Sequence, residues 1–326
     1  MGGSSYDRDV YGSSSGWGSY GSSKSYSYDS DKALGSTSLD SSMQPLDRRI
    51  KSNSKHPIVI MLDVTGSNTS FAKIVYDKMP MFFGQIEQKG YLNDFDISVC
   101  AIGDAHCDDY PLQIADFAKG TEIDTWLSKL VLEGGGGGQT RETYELGAYY
   151  LLNNFDYDTD ASPIVFFLGD EKAYAEVSPG YIKKYIDSTF TGEAIRTKLV
   201  FDKLLEKIPN TFLFLNPYCG RYNDKDIKDD WEQLFGDKSK NIIFMQEDNE
   251  KAIVDLLLGT IALINDRDLE SYKVDMLDRG QTNARIESVD RMLTGLSNSL
   301  VPTATVNGLQ KSDSAINKRN SKNNRL

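Results

Sequence analysis

Cysteine and histidine are scarce: 326 residues hold three of the first and two of the second. The cysteines (Cys100, Cys107, Cys219) are odd in number and never spaced as CxxC, which argues against a disulfide framework and a zinc ribbon and fits a reducing cytoplasm. No run of about 18 apolar residues exists for a membrane-spanning helix, and the N-terminus lacks the basic-then-apolar order of a signal peptide. Met1-Gly2 invites a myristoylation reading, but Tyr6 stands where that pattern wants Ser or Thr. The expectation is a soluble cytoplasmic protein with no membrane partner. Nucleotide and hydrolase loops are missing too. The glycine run Gly134–Gly138 lacks a following Gly-Lys-Ser or Gly-Lys-Thr, no Gly-x-Gly-x-x-Gly opens the first helix, and no Gly-x-Ser-x-Gly elbow occurs. Two histidines leave little to act as a general base.

Apolar spacing is absent from both ends. Residues 1–54 contain 17 Ser and 7 Gly, with aromatics (Tyr6, Tyr11, Trp17, Tyr20, Tyr26, Tyr28) at neither helical nor strand period. Residues 302–326 are polar and rich in Asn, Lys and Arg. Both segments are expected to be disordered, leaving a domain over 55–265 and a C-terminal helical extension over 266–301, of which Leu269–Asp278 is the clearest piece. The net charge is −12; the first 54 residues are neutral overall and the last 25 carry a surplus of four positive charges, so the middle holds −16. Phosphate backbones bind through accumulated Lys and Arg, so nucleic acid is excluded as a partner of the central domain.

Short apolar, β-branched runs recur at Ile58–Leu62, Phe95–Ile102, Ile164–Leu168, Thr211–Leu215 and Ile242–Met245. Helical patterns lie between and after them, at Phe71–Lys89, Ile123–Leu130, Arg141–Asn153, Gly192–Lys207, Ile227–Phe235 and Glu250–Ile264. Continuous apolar strands alternating with amphipathic helices predict an α/β fold: a doubly wound, mostly parallel central sheet with helices on both faces.

Ligands of such sheets bind at the carboxyl ends of strands, where the strand order reverses. After the first strand comes Asp63-Val64-Thr65-Gly66-Ser67, able to set a carboxylate and two hydroxyls on one side of a turn, the hard-oxygen donors that Mg²⁺ prefers. The chain carries its own control, because Asp187-Ser188-Thr189-Phe190-Thr191 matches the same pattern but follows a helical stretch, Tyr181–Ile186. The glycine run leads into Gln139-Thr140-Arg141-Glu142-Thr143-Tyr144-Glu145 and a helix, and the next strand ends in Gly169-Asp170. Each residue also has a plainer reading. Asp63, Thr65 or Ser67 could cap the following helix, Glu142 could complement a helix dipole, and Asp170 could pair with Lys172. Gly103-Asp104-Ala105-His106-Cys107-Asp108-Asp109 reads as a polar surface loop, since adjacent His106 and Cys107 chelate poorly.

On these motifs the segment Lys55–Ile264 resembles the von Willebrand factor A family. The resemblance implies a metal-dependent adhesion site holding Mg²⁺ or Mn²⁺ through Asp63, Thr65, Ser67 and Asp170. Its second loop, Gly-Gly-Gly-x-x-x-Glu, is similar to a branch in which Glu replaces the usual Thr, which puts Glu142 there with Thr140 and Thr143 as rivals. It further implies a protein-binding adaptor rather than an enzyme, whose ion takes a Glu or Asp from a protein partner, and work beside a MoxR-type AAA+ ATPase. Two other readings compete. An aspartyl-type metal-dependent phosphohydrolase would want a second Asp where Thr65 stands, and a scaffold would bind through the aromatics of residues 1–54.

Overall fold

The computed structural model describes residues 38–133, 141–216, 224–245 and 250–300. Six strands form the central sheet: β1 (His56–Asp63), β2 (Phe95–Ile102), β3 (Leu112–Gln113), β4 (Ile164–Gly169), β5 (Thr211–Leu215) and β6 (Ile242–Phe244). Their order is β6-β5-β4-β1-β2-β3, and all neighbours are parallel except β2 with the edge strand β3. From β1 the chain adds β2 and β3 on one side, then returns to add β4, β5 and β6 on the other. The order therefore reverses between β1 and β4.

The strands are apolar throughout because both faces are covered, and alternate residues feed two cores. Ile58, Ile60 and Leu62 of β1 enter one cluster, under α1 (Thr69–Lys89), α2 (Glu122–Leu127), α7 (Ile253–Ile264), α8 (Leu269–Asp278) and α9 (Asn283–Leu300). Val59 and Met61 enter the other, under α3 (Tyr144–Asn154), α4 (Pro179–Tyr185), α5 (Thr197–Lys207) and α6 (Asp224–Phe235). The result is a mixed α/β unit with a mostly parallel sheet between helices.

Several boundaries differ from the sequence reading. Regular structure begins ahead of Lys55: Met43 and Ile50 are fully buried, and Ile50 pairs in parallel with Phe155. Single apolar residues in a polar run carry no period, so periodicity could not find them. The helix expected from Arg141 starts at Tyr144, because Arg141–Glu142 pair with Lys172–Ala173 as a two-residue ladder. The helix expected from Gly192 starts at Thr197, after Ile195–Arg196 pair with Glu176–Val177. The described part of the expected extension, 266–300, is built into the core, with Tyr272, Met276, Val289, Leu293 and Leu296 buried beside α7. Gly259 of α7 is required there, since a Cβ would stand 2.4 Å from Leu293 Cδ1 and 2.7 Å from Tyr272 Cε1.

Candidate metal centre

At the carboxyl end of β1, Asp63 is fully buried and Thr65 nearly so. Asp63 Oδ1 accepts the Thr65 amide at 2.9 Å and its hydroxyl at 2.6 Å, while Asn68 Nδ2 donates to the Asp63 carbonyl at 3.0 Å. The loop is thus closed by its own side chains, and only after it does α1 begin. Neither Thr65 nor Asn68, at the starts of the short 3-10 turn and of α1, makes a side-chain cap bond.

The third loop meets the first directly. Ser67 Oγ donates to Asp170 Oδ1 at 3.4 Å, bridging the ends of β1 and β4, the two strands between which the order reverses. Tyr144, the first residue of α3, ties both loops together. Its hydroxyl donates to Asp63 Oδ2 at 2.5 Å and accepts the Asp170 amide at 3.3 Å. Gly169 leaves room for it, since a Cβ there would lie 1.8 Å from the Tyr144 oxygen.

Glu142 enters from the second loop and is only 5% exposed. Its Oε2 is buried and has no hydrogen-bond partner among the described residues. Burial, followed by the negative charges of Asp63, Asp104, Asp108 and Asp170, pushes its carboxyl up to about 10. Burial likewise raises Asp63, against the pull of hydrogen bonds from Thr65 and Tyr144. Of the rivals for the second-loop role, Thr143 is committed elsewhere: its hydroxyl donates to the Gly103 carbonyl at 2.5 Å and accepts the Ala105 amide at 3.3 Å. Thr140 and the glycine run Gly134–Gly138 lie outside the described residues.

The structure therefore brings Asp63, Thr65, Ser67 and Asp170 into one hydrogen-bonded cluster, with Glu142 within its electrostatic reach. Among the described residues, no three His, Cys, Asp or Glu side chains are arranged to hold a metal ion by themselves. Sequence reasoning missed Tyr144, Asp104 and Asp108. Tyr144 opens a helix after a glycine-rich loop, and that was the signal available for it. The loop after β2 folds on itself as a polar turn, with Asp104 accepting the His106 amide at 3.0 Å and the Tyr174 hydroxyl at 3.2 Å. Asp108 accepts the Asp104 amide at 2.6 Å.

No family model and no curated protein matches the chain. Among solved structures, proximal thread matrix protein 1 from the mussel byssus aligns over 65% of this chain and 49% of its own, at 14% identity and a TM-score of 0.43. The pilus adhesin SpaC of Lactobacillus rhamnosus GG, in its open conformation, aligns over 67% of this chain and 31% of its own, at 13% identity and a TM-score of 0.42. The chain spans about half the length of the first and about a third of the second. Likeness at this level carries no functional argument, and the cluster stands on its own residues.

Proposed function

We propose that the chain is a metal-dependent protein-binding module of the von Willebrand factor A type, with a doubly wound sheet, in which Asp63, Thr65, Ser67, Glu142 and Asp170 hold Mg²⁺ or Mn²⁺. The observation that carries this reading is Glu142. Among the described residues no hydrogen bond reaches its buried Oε2, and a carboxylate set among four others is stabilised in its ionised form by a cation. The Thr65 and Ser67 hydroxyls complete a hard-oxygen donor set. Water and a partner would fill the positions that these residues leave open. The location supports the same reading, since the cluster sits where the strand order reverses.

When bound, the ion supplies positive charge and an open coordination position for a Glu or Asp of a partner protein. Asp63 holds Thr65 in place, Ser67 and Asp170 hold each other, and Tyr144 keeps the two loops together. A domain whose central part carries −16 repels an acidic partner unless the ion is present. The test is calorimetric titration of Mg²⁺ into the wild type and Glu142→Gln, with circular dichroism confirming the fold of both. The expected outcome is a loss of affinity of at least ten-fold in the variant. Unchanged affinity in a folded variant would remove Glu142 from the site and the reading with it.

A further inference from the structure

A cavity of about 450 Å³ opens between the loop after β2, the first turn of α3 and the start of α4, lined by His106, Glu145, Tyr174, Glu176, Tyr181 and Arg196. The volume lies within the roughly 300–1,000 Å³ of small-molecule sites. Its walls are aromatic: the His106 ring stacks on Tyr174 with centres 4.3 Å apart and meets Tyr181 edge to face at 5.2 Å. Glu145, 1% exposed, is the most buried of the six and lies deepest. The donors of Tyr174 are already used, its amide on Glu145 Oε2 at 3.1 Å and its hydroxyl on Asp104 at 3.2 Å. His106 Nδ1 stands 3.0 Å from Asp104 Oδ1, a carboxylate oxygen that can only accept. These walls therefore offer ring surface above a carboxyl group. Burial holds the Glu145 carboxyl well above the usual carboxylate range, against hydrogen bonds from its own amide and that of Tyr174, and a cation beside it would favour the ionised form. The cations nearby have other places. Arg196 is exposed and faces Glu176 across the two-residue ladder, Arg141 donates to the Ala173 carbonyl, and Lys184 donates to the Tyr185 hydroxyl at 2.6 Å.

We propose that this cavity binds a guanidinium group, which lies against the aromatic wall and donates its N–H groups to Glu145. A guanidinium suits the place better than an ammonium, because it is planar, weakly hydrated, stacks on rings and presents a fork of donors to a carboxylate. The group can belong to a free small molecule or to an arginine of another protein. The inference goes beyond the metal reading and does not depend on it, since none of the six residues belongs to the ion's ligand set.

The full-length protein would be titrated by calorimetry in EDTA with methylguanidinium, with N-acetylarginine N-methylamide, and with the neutral isostere N-acetylcitrulline N-methylamide. Circular dichroism would confirm the fold of each variant. Both guanidinium probes are expected to bind at least ten-fold more tightly than the citrulline probe. They should weaken at least ten-fold in Glu145→Gln, which keeps an acceptor for the Tyr174 amide, and in Tyr181→Ser at the half-buried wall. Ten-fold tighter binding of the arginine probe than of methylguanidinium would uphold the inference with a protein's arginine as the source, and equal affinities would uphold it with a free small molecule. Equal binding of the arginine and citrulline probes, no binding of either guanidinium probe, or full affinity in a folded Glu145→Gln would overturn it. So would tighter binding of N-acetylglutamate N-methylamide that Arg196→Gln abolishes, because the cation at the mouth would then decide what enters.

Discussion

The Tyr144 hydroxyl stands 2.5 Å from Asp63 Oδ2 and, on its other side, accepts the amide of Asp170, so one ring from α3 joins the ends of β1 and β4. Tyr144→Phe is expected to destabilise the protein by about 1–3 kcal/mol, because it strips a partner from a buried carboxylate oxygen. Gly169→Ala should cost more, since its Cβ would stand 1.8 Å from that hydroxyl. The two changes should be non-additive, with Tyr144→Phe recovering part of the loss in the Gly169→Ala background. Urea denaturation of the four proteins measures this double-mutant cycle, and simple additivity would deny the coupling.

Glu142 makes the metal-free protein pH-sensitive in a defined direction. Its folded value, about 10, lies above the roughly 4.3 of an unfolded chain. The native state therefore binds the proton more tightly. Its contribution to stability is fully present below about pH 4.3 and is lost as pH rises toward 10. In EDTA, between pH 5 and pH 9, the wild type should lose more stability than Glu142→Gln. A steeper fall in the variant would contradict the placement of Glu142 among the carboxylates.

Asp63→Asn keeps the shape of the side chain and offers Thr65 an acceptor while removing the charge. Mg²⁺ at about a hundred times its dissociation constant stabilises a folded protein by about 2.7 kcal/mol, which for a domain of this size raises Tm by roughly 5–10 °C. That rise is expected in the wild type and should largely vanish in Asp63→Asn. Equal thermal shifts in the two proteins would return Asp63 to a purely structural role.

The C-terminal helices are held by a buried ion pair as well as by apolar contacts. Arg279 Nη2 lies 2.9 Å from Asp255 Oδ1 and 3.1 Å from the Tyr272 hydroxyl, with both charged side chains almost fully buried. Arg279→Ala should cost roughly 3 kcal/mol, the lower end for breaking a buried pair. Arg285, 3.7 Å from Asp255 Oδ2, still faces the abandoned carboxylate. Chemical denaturation checks this, and a cost below about 1 kcal/mol would mean that α8 and α9 are only loosely attached.

Much of the fold was legible because buried parallel strands must be apolar on both faces. Phe95–Ile102 and Thr211–Leu215 fold over the bounds their composition announced. Two-residue ladders such as Arg141–Glu142 with Lys172–Ala173 carry no such pattern, and their pairing partners are distant in sequence.

The candidate site divides in the same way. Locally, Asp63-Val64-Thr65 and Asp187-Ser188-Thr189 fold into the same turn: each Asp Oδ1 accepts the amide two residues on at 2.9 Å and its hydroxyl at 2.6 Å. The sequence by itself determined that turn in both places, because a carboxylate two residues ahead of a hydroxyl closes it without outside help. Only the tertiary structure decided that they differ. Ser188 and Thr189 remain at the surface, whereas Asp63 ends a central strand, loses water, and meets Tyr144, Asp170 and Glu142 from loops some 80 to 110 residues away. Water screens the first carboxylate, whereas burial raises the proton affinity of the second against the hydrogen bonds from Thr65 and Tyr144.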